Sequence, residues 1–370
     1  MKTTRSWLVA ASLMAALPAL HAQLLIGQTA GFTGTVASGV KETTDGARLW
    51  IDSINAKGGV NGQKIELVQM DDKFDPKLAA ENAKTLIEEK NVLALFLVRG
   101  TPHSEAMFPI LEANNVALVA PSTGAMSLHQ PVKRHVYNVR ATYQREAEKA
   151  VDHLAAVGIV RIAVLVADDS FGTDAVQGAI RGLERHKLKP VVQIKHDRLK
   201  PDYTKLIPEL VKSEAQAVIW IGSGSAVADG VKALRAAGSA AQVVTLSNNA
   251  SSGFVKSLGE HSRGVILTQV FPYERSIGSP MVKEAMDVAK ARGVDSLSPA
   301  MLEGYAGAKV LVEALRRAGK SPTRASLLAA LDGMKKFDVG GLEVSYSEND
   351  HTGLDFVDLS IIGPDGKFKR

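Results

Sequence analysis

The 370-residue sequence contains no cysteine, which excludes disulfides, thiolate metal sites, cysteine nucleophiles and a lipidated N-terminal cysteine. It also lacks the clustered basic residues with interleaved aromatics that are typical of nucleic-acid-binding surfaces, and its net charge is only +5. No P-loop, G-x-S-x-G elbow, HExxH or EF-hand motif is present, and the histidines have no metal-ligand spacing. We therefore expect no metal, no cofactor and no nucleic-acid partner.

Long apolar runs are confined to the N-terminus, where residues 7–20 follow the basic residues Lys2 and Arg5. This pattern predicts a secretory signal peptide over residues 1–22, cleaved after Ala22. The run is shorter than the roughly 20 residues that a membrane span needs. A buried N-terminal helix is the alternative. We expect a soluble, exported mature chain that is not embedded in a membrane.

Short apolar segments rich in β-branched residues alternate with amphipathic helical segments through most of the chain. Runs such as LALFLV, VALVA, IAVLVA and AVIWI are typical of strands buried on both faces, and the helices between them predict parallel sheets covered on each side. The alternation restarts at VRIAVLVADD, and the chain is longer than one compact core allows. The sequence predicts an α/β protein with two doubly wound parallel-sheet lobes.

Three segments together are similar to a known family: LLIGQTAGFTG, SINAKGGVNGQKIELVQMDDKFDP and VALVAPSTGA. They resemble the periplasmic binding proteins of branched-chain amino acid ABC transporters, the leucine/isoleucine/valine-binding family, from about Leu24 to the C-terminus. The resemblance implies a type I periplasmic binding fold, in which three crossings join the lobes. Lobe 1 then comprises residues 23–141 and 272–347, and lobe 2 comprises residues 142–271 and 348–370. A C-terminal hairpin, FVDLSIIGPDGKFKR, closes lobe 2.

The resemblance also implies a function without chemistry. A periplasmic receptor of this family closes over a small ligand and presents it to a membrane permease driven by an ATPase subunit. A ligand-sensing regulator built on the same scaffold is the alternative, because this fold serves sensors as well as transporters. An exported α/β enzyme is a third interpretation, which turnover of a bound compound would support.

In open parallel sheets, ligands bind beyond the carboxyl ends of the strands. Two lobe 1 loops, residues 99–104 and 121–124, supply hydroxyls, backbone N–H groups and a helix N-terminus, which suit an anion such as a carboxylate; simple helix capping is the alternative. The resemblance places Thr101 where a family hydroxyl binds the ligand carboxylate. Arg99 either clamps an acidic group or lies at the surface, and contact of His103 with the ligand stays open. The lobe 1 residues expected to bind the ligand are Arg99, Gly100, Thr101, Ser122, Thr123 and Gly124.

Loops of lobe 2 form the opposite wall in this prediction. By resemblance, Phe171 matches a position that carries an aromatic residue over the ligand, with core packing as the alternative. Asn248 and Asn249 stand about where the family's amino-acid binders pair the ligand ammonium with a carboxylate. A desolvated ammonium is costly unless it is paired, so we expect a carboxylate-bearing ligand that is not a zwitterion, or an aromatic one. Phe271 is a candidate for an apolar lid, with packing at the hinge as the alternative. The residues expected to bind the ligand here are Phe171, Gly224, Ser225, Asn248, Asn249 and Phe271.

Overall fold

The computed structural model describes residues 23–370, so the predicted leader and its cleavage site lie outside the described residues. The strands are β1 (Leu24–Ala30), β2 (Ile65–Asp71), β3 (Ala94–Phe96), β4 (Ala117–Val119), β5 (Val136–Tyr137), β6 (Ile162–Ala167), β7 (Val192–His196), β8 (Ala217–Ile221), β9 (Gln242–Thr245), β10 (Ile266–Gln269), β11 (Phe337–Asp338), β12 (Glu343–Val344), β13 (Asp358–Ile362) and β14 (Phe368–Lys369).

Helices fill most of the intervals between these strands. The α-helices are α1 (Ala37–Ala56), α2 (Pro76–Lys84), α3 (Thr101–Asn114), α4 (Tyr143–Ala156), α5 (Ser170–Arg185), α6 (Tyr203–Lys212), α7 (Gly224–Ala236), α8 (Ser252–Leu258), α9 (Pro280–Ala291), α10 (Pro299–Arg317) and α11 (Arg324–Asp332). A π-helical turn, Thr85–Glu89, extends α2. Within residues 23–370, none of the helices combines the length and the apolar character of a membrane span.

The strands form two main sheets, one in each lobe. The first has the order β2-β1-β3-β4-β5, and its neighbouring strands run parallel. The second has the order β14-β13-β10-β9-β8-β6-β7, in which β6 to β10 are parallel and the C-terminal hairpin joins antiparallel. Strands β6 and β8 are buried along their whole length because they lie in the sheet interior. The predicted two-lobed α/β fold is confirmed.

The chain passes between the two sheets three times: between β5 and α4, between β10 and α9, and between β12 and β13. Helices α9, α10 and α11 return to lobe 1, where α10 packs along α1. The two helix backbones approach closely at Gly304, where an added Cβ would lie 1.7 Å from the carbonyl oxygen of Thr43. The residue-level boundaries of the lobes stay a prediction.

The two lobe 1 loops expected to hold an anion lead into different kinds of helix. Thr101 opens α3, which has 14 residues, and the turn into it requires glycine because Gly100 adopts φ +105°. The expected helix start after residues 121–124 is wrong. A three-residue 3-10 turn, Met126–Leu128, comes next there, because the chain soon joins β5 and leaves the lobe. Only the first of the two loops therefore ends in the N-terminus of an α-helix.

Candidate ligand-binding cleft

The carboxyl ends of strands from both sheets meet at a cleft, and the two lobes touch there. Arg99 Nη2, which follows β3, donates a hydrogen bond of 2.5 Å to the carbonyl oxygen of Asn248, which follows β9. The Ser225 N–H donates to the carbonyl oxygen of Thr35 at 3.2 Å. Glu42 of α1 accepts hydrogen bonds from two backbone N–H groups at the start of α8. The fold thus brings predicted residues of both lobes to one place.

Arg99 is a buried cation on the lobe 1 wall of this cleft. Its side chain is 4% exposed, and Nη1 donates to Ser122 Oγ at 3.1 Å. Among residues 23–370, no carboxylate oxygen lies within 4.0 Å of its nitrogens. Burial lowers the pKa of Arg99, and the negative charge of nearby Glu303 opposes that shift. The predicted surface position for Arg99 is therefore excluded, and its guanidinium reaches the other lobe at the carbonyl oxygen of Asn248.

Two threonine hydroxyls lie beside Arg99 on the same wall. Thr101 Oγ1 and Thr123 Oγ1 are 2.7 Å apart, and both residues are buried. Gly124 packs against the first passage between the lobes, where an added Cβ would lie 2.6 Å from the carbonyl oxygen of Ala141. The lobe 1 residues predicted from the two loops consequently form one cluster of hydroxyls and one guanidinium.

The asparagines of the lobe 2 wall are mostly committed to their own lobe. Asn248 Nδ2 donates to the carbonyl oxygen of Gly222 at 2.9 Å, while its Oδ1 is buried without a hydrogen-bond partner. Asn249 Nδ2 donates to Thr245 Oγ1 at 2.8 Å, and its Oδ1 accepts a hydrogen bond from the Gly224 N–H at 2.7 Å. Asn249 therefore shapes the loop after β8, and Asn248 keeps one free acceptor.

A second arginine, Arg198, lies between aromatic rings of the two lobes. Its guanidinium carbon is 4.8 Å from the ring centre of Phe74 in lobe 1 and 4.3 Å from that of Phe171 in lobe 2. Nη1 pairs with Asp169 at 2.9 Å, and Nε donates to Ser223 Oγ at 2.8 Å. Unlike Arg99, Arg198 therefore has an acidic partner.

A cavity of about 480 Å³ opens beside this arginine, between residues of both lobes that include Pro102, Lys195 and His196. His103 lines it and stacks on Phe74, with ring centres 4.3 Å apart. Burial lowers the pKa of His103 to about 4, so the ring is neutral at physiological pH. His103 therefore lines this cavity as a buried, uncharged group.

A third buried arginine, Arg140, lies at the first passage between the lobes. Its Nη2 bonds to Glu146 and to Ser247 Oγ, the latter at 2.8 Å, and its Nη1 lies 3.8 Å from Glu303 Oε2. Burial alone would lower its pKa, but the charges of Glu146 and Glu303 hold the pKa of Arg140 above its ordinary value. Glu146 Oε2 also accepts from the Ser247 N–H at 2.9 Å and from the hydroxyl of Thr268. This network ties the passage to both lobes.

Residues 23–356 match the family described as periplasmic binding protein. The chain belongs to this family. The Leu/Ile/Val-binding protein BraC3 of Rhizobium johnstonii is 26% identical to it over 362 residues, which cover 94% of this chain and 93% of the relative. A substrate-binding periplasmic protein from Ralstonia solanacearum superposes with a TM-score of 0.85 and 31% identity, over 94% of this chain and 99% of that chain. For a possible leucine/isoleucine/valine-binding protein from Rhodopirellula baltica SH 1 the TM-score is 0.89 at 27% identity, over 96% and 98%.

As a periplasmic binding protein, the chain is a solute-binding receptor for amino acids or similar small molecules, and it is not an enzyme. The predicted family and class are confirmed. Within the described part of the chain, no group of three or more histidine, aspartate or glutamate side chains is placed to hold a metal ion.

Two of the residues predicted to bind the ligand lie mainly in hydrophobic cores of this binding protein. Phe171 is fully buried and packs edge-on against Tyr143. Its ring contacts the guanidinium of Arg198, which lines the cleft. Phe271 is 3% exposed within the core of lobe 1. Gly224 lies at the lobe contact, where an added Cβ would be 2.0 Å from the carbonyl oxygen of Thr35. The ligand-binding roles of the predicted residues stay proposals.

Three charged residues of the cleft were missed by the sequence analysis: Arg140, Arg198 and Glu303. Arg140 follows β5, which has only two residues and gives no clear strand pattern. Arg198 likewise follows a strand, β7, at the same edge of the sheet as the predicted loops. Glu303 is a charge on the buried part of α10, where the surrounding residues are small or apolar. An acid within the apolar first half of this helix was the available signal.

Proposed function

We propose that this protein is the exported receptor of an ABC importer, which binds a small carboxylate-bearing molecule between its lobes and delivers it to the permease. The observation that carries this proposal is Arg99, whose guanidinium is buried in the cleft without an acidic partner among residues 23–370. A buried, unpaired charge is costly, and a ligand carboxylate would offset that cost through charge-assisted hydrogen bonds.

The surroundings of Arg99 supply further donors for the same anion. The hydroxyls of Thr101 and Thr123 lie on the same wall, and Thr101 opens α3, whose N-terminal N–H groups favour negative charge. Micromolar affinity needs about 8 kcal/mol, whereas a hydrogen bond to a charged group contributes roughly 1.5–3 kcal/mol. Several lobe 1 contacts and burial by lobe 2 are therefore both needed, so closure of the cleft is part of binding.

The ligand class is inferred from the groups that the lobe 2 wall offers. Relatives such as BraC3 are named for leucine, isoleucine and valine. In this chain Asn248 and Asn249 present amides, and Asn249 uses its side chain to hold Gly224 and Thr245. This wall supplies no carboxylate from that loop for an ammonium group, which supports a carboxylate ligand that is not an amino acid.

Calorimetry with matched variants tests the proposal, using isocaproate and phenylpropionate as probes and native mass spectrometry to find any ligand carried through purification. Arg99→Met should raise Kd about 100-fold or more, because losing two charge-assisted bonds removes roughly 3 kcal/mol. Its free energy of unfolding should be unchanged or higher, because an unpaired buried charge has been removed. The exposed Arg316→Met variant on α10 is the control and should keep wild-type affinity.

Either of two results would contradict the proposal: equal affinity of the wild type and Arg99→Met, or tight binding of leucine or valine with no binding of simple carboxylates. The importer role is tested separately, by uptake of labelled ligand in cells that lack this protein and are complemented with wild type or Arg99→Met. N-terminal sequencing of the exported protein tests the proposed cleavage after Ala22.

A further inference from the structure

The guanidinium groups of Arg99 and Arg140 are held by consecutive residues of one loop. Arg99 Nη2 donates to the carbonyl oxygen of Asn248 at 2.5 Å, and Arg140 Nη2 donates to Ser247 Oγ at 2.8 Å. The two arginines follow β3 and β5, which lie on either side of β4 at the same edge of the sheet. A small molecule held by Arg99 is therefore close to Arg140 as well.

Next to Arg140 the structure leaves two buried polar atoms without partners. Arg140 Nη1 has no hydrogen-bond acceptor, and Glu303 Oε1 has no donor. Arg140 is 1% exposed and Glu303 is 6% exposed, so bulk water does not satisfy them. The distance of 3.8 Å between Nη1 and Glu303 Oε2 is too long for a hydrogen bond. One unused donor and one unused acceptor thus lie side by side, and each such atom is costly to bury.

We propose that a hydroxyl group of the ligand bridges these two atoms, accepting a hydrogen bond from Arg140 Nη1 and donating one to Glu303 Oε1. The ligand is then a hydroxy acid, whose carboxylate meets Arg99 and whose hydroxyl lies a short distance away. This inference rests on the proposed function, because it needs the carboxylate at Arg99, and it narrows the ligand class of that same site.

Hydrogen-bond capacity favours a hydroxyl over the other common substituents. A hydroxyl donates one hydrogen bond and accepts others, so it satisfies both orphaned atoms. An ammonium has no acceptor, which leaves Arg140 Nη1 unpartnered, and a keto oxygen has no donor, which leaves Glu303 Oε1 unpartnered. Charge does not decide between them, since Glu303 attracts an ammonium while Arg99 and Arg140 repel it. The numbers of donors and acceptors therefore decide in favour of the hydroxyl.

Two series of ligands with constant carbon skeletons test the inference by calorimetry: isocaproate, α-hydroxyisocaproate and leucine, and phenylpropionate, phenyllactate and phenylalanine. The hydroxy acid should bind roughly tenfold more tightly than the plain acid of the same skeleton, because one added charge-assisted pair of bonds is formed. It should also bind more tightly than the amino acid.

Variants at position 303 assign that preference to the carboxylate. Glu303→Met, which has a similar length and only a weak thioether acceptor, should reduce the ratio of hydroxy-acid to plain-acid affinity to about 1. Glu303→Gln keeps an amide oxygen as acceptor and should restore part of the ratio. Glu313→Gln, on the same helix but paired to surface arginines, is the control and should leave the ratio unchanged. Thermal unfolding of each variant shows whether the fold is kept.

The possible outcomes distinguish failure of the hydroxyl-bridge inference from failure of the proposed carboxylate-receptor function. Equal affinity of plain and hydroxy acids would overturn the inference, with a water molecule then filling the place of the hydroxyl, and would leave the carboxylate receptor standing. Tightest binding of the amino acids, with loss in Glu303→Met, would assign Glu303 to an ammonium and also overturn it. If no member of either series bound, the inference and the proposed carboxylate class would both be wrong.

Discussion

The two walls of the cleft use their polar groups in opposite ways. On lobe 1, Arg99 is bonded only to Ser122 and to a carbonyl oxygen of the other lobe, and no acid among the described residues pairs with it. On lobe 2, Arg198 is paired with Asp169, and Asn249 is bonded to the backbone and a threonine of its own lobe. One wall carries free charge, and the other is largely satisfied by itself.

This difference assigns different tasks to the two walls. A wall with an unpaired cation gains most from an anionic ligand, so we expect the ligand to be captured on lobe 1. The lobe 2 wall, whose polar groups are mostly hydrogen-bonded within the lobe, offers the ligand fewer bonds. We expect it to exclude water and to contact lobe 1, as the Ser225 N–H does at the carbonyl oxygen of Thr35. Lobe 2 then reports occupancy by closing, since a ligand shifts a conformational equilibrium only through its different affinity for the two states.

The largest expected effect is at Arg140, because this residue contacts charged residues of both lobes. Arg140→Met leaves Glu146 buried without its cation and removes the ionic contact with Glu303, so we expect the free energy of unfolding to fall by about 3–5 kcal/mol. Denaturant unfolding measures this. The exposed Arg185→Met variant of lobe 2, which loses only surface pairs, should change by no more than about 1 kcal/mol. Similar stability of both variants would show that the Arg140 network is not holding the passage together.

The sequence predicts the lobe 1 wall better than the network at Arg140, for a physical reason. Arg99 and Ser122 follow neighbouring parallel strands with clear apolar runs, so the location of one implies the location of the other. Arg140 follows a two-residue strand, and its partner Glu303 is on a helix more than 160 residues later. Only tertiary packing brings them together. Residue type alone likewise does not reveal that Phe171 is buried in a hydrophobic core and that the guanidinium of Arg198 covers its ring.

A smaller effect is expected where lobe 2 meets lobe 1 without any charge. In Gly224→Ala, the added Cβ would lie 2.0 Å from the carbonyl oxygen of Thr35, so the lobes cannot close to the same distance. Ligand affinity, measured by calorimetry, should fall roughly tenfold, because overpacking costs about 1–3 kcal/mol.

Gly238→Ala is a matched control for this variant. Gly238 also has a positive φ, +79° against +53° at Gly224, but nothing lies within 4 Å of an added Cβ there. Both variants should lose similar stability from the strained backbone, and only Gly224→Ala should lose affinity. If both kept wild-type affinity, closure at this contact would not contribute to binding.

The smallest effect concerns titration at another contact between the walls. Asp174 Oδ1, on α5 of lobe 2, accepts hydrogen bonds from the Met126 N–H of lobe 1 at 3.0 Å and from Gln144 Nε2 at 2.8 Å. Burial raises the pKa of Asp174 from 3.8 to about 6. A raised pKa means that the folded protein holds this proton more tightly than the unfolded chain. The resulting stability is complete below about pH 4 and is lost as the pH rises through about 6.

Asp174→Asn removes this loss while keeping an oxygen acceptor for Met126. The free energy of unfolding of the variant minus that of the wild type should therefore increase between pH 4 and pH 7. We expect an increase of about 1–2 kcal/mol, because Asp174 is only partly buried. Asp72 and Glu274, whose pKa values burial also raises, titrate in the same range and cancel in this difference. If the difference in free energy of unfolding between Asp174→Asn and the wild type stayed constant with pH, burying the ionised carboxylate of Asp174 between the two walls would cost no stability. The contrast between a charged wall and a satisfied one would then rest on the arginines alone.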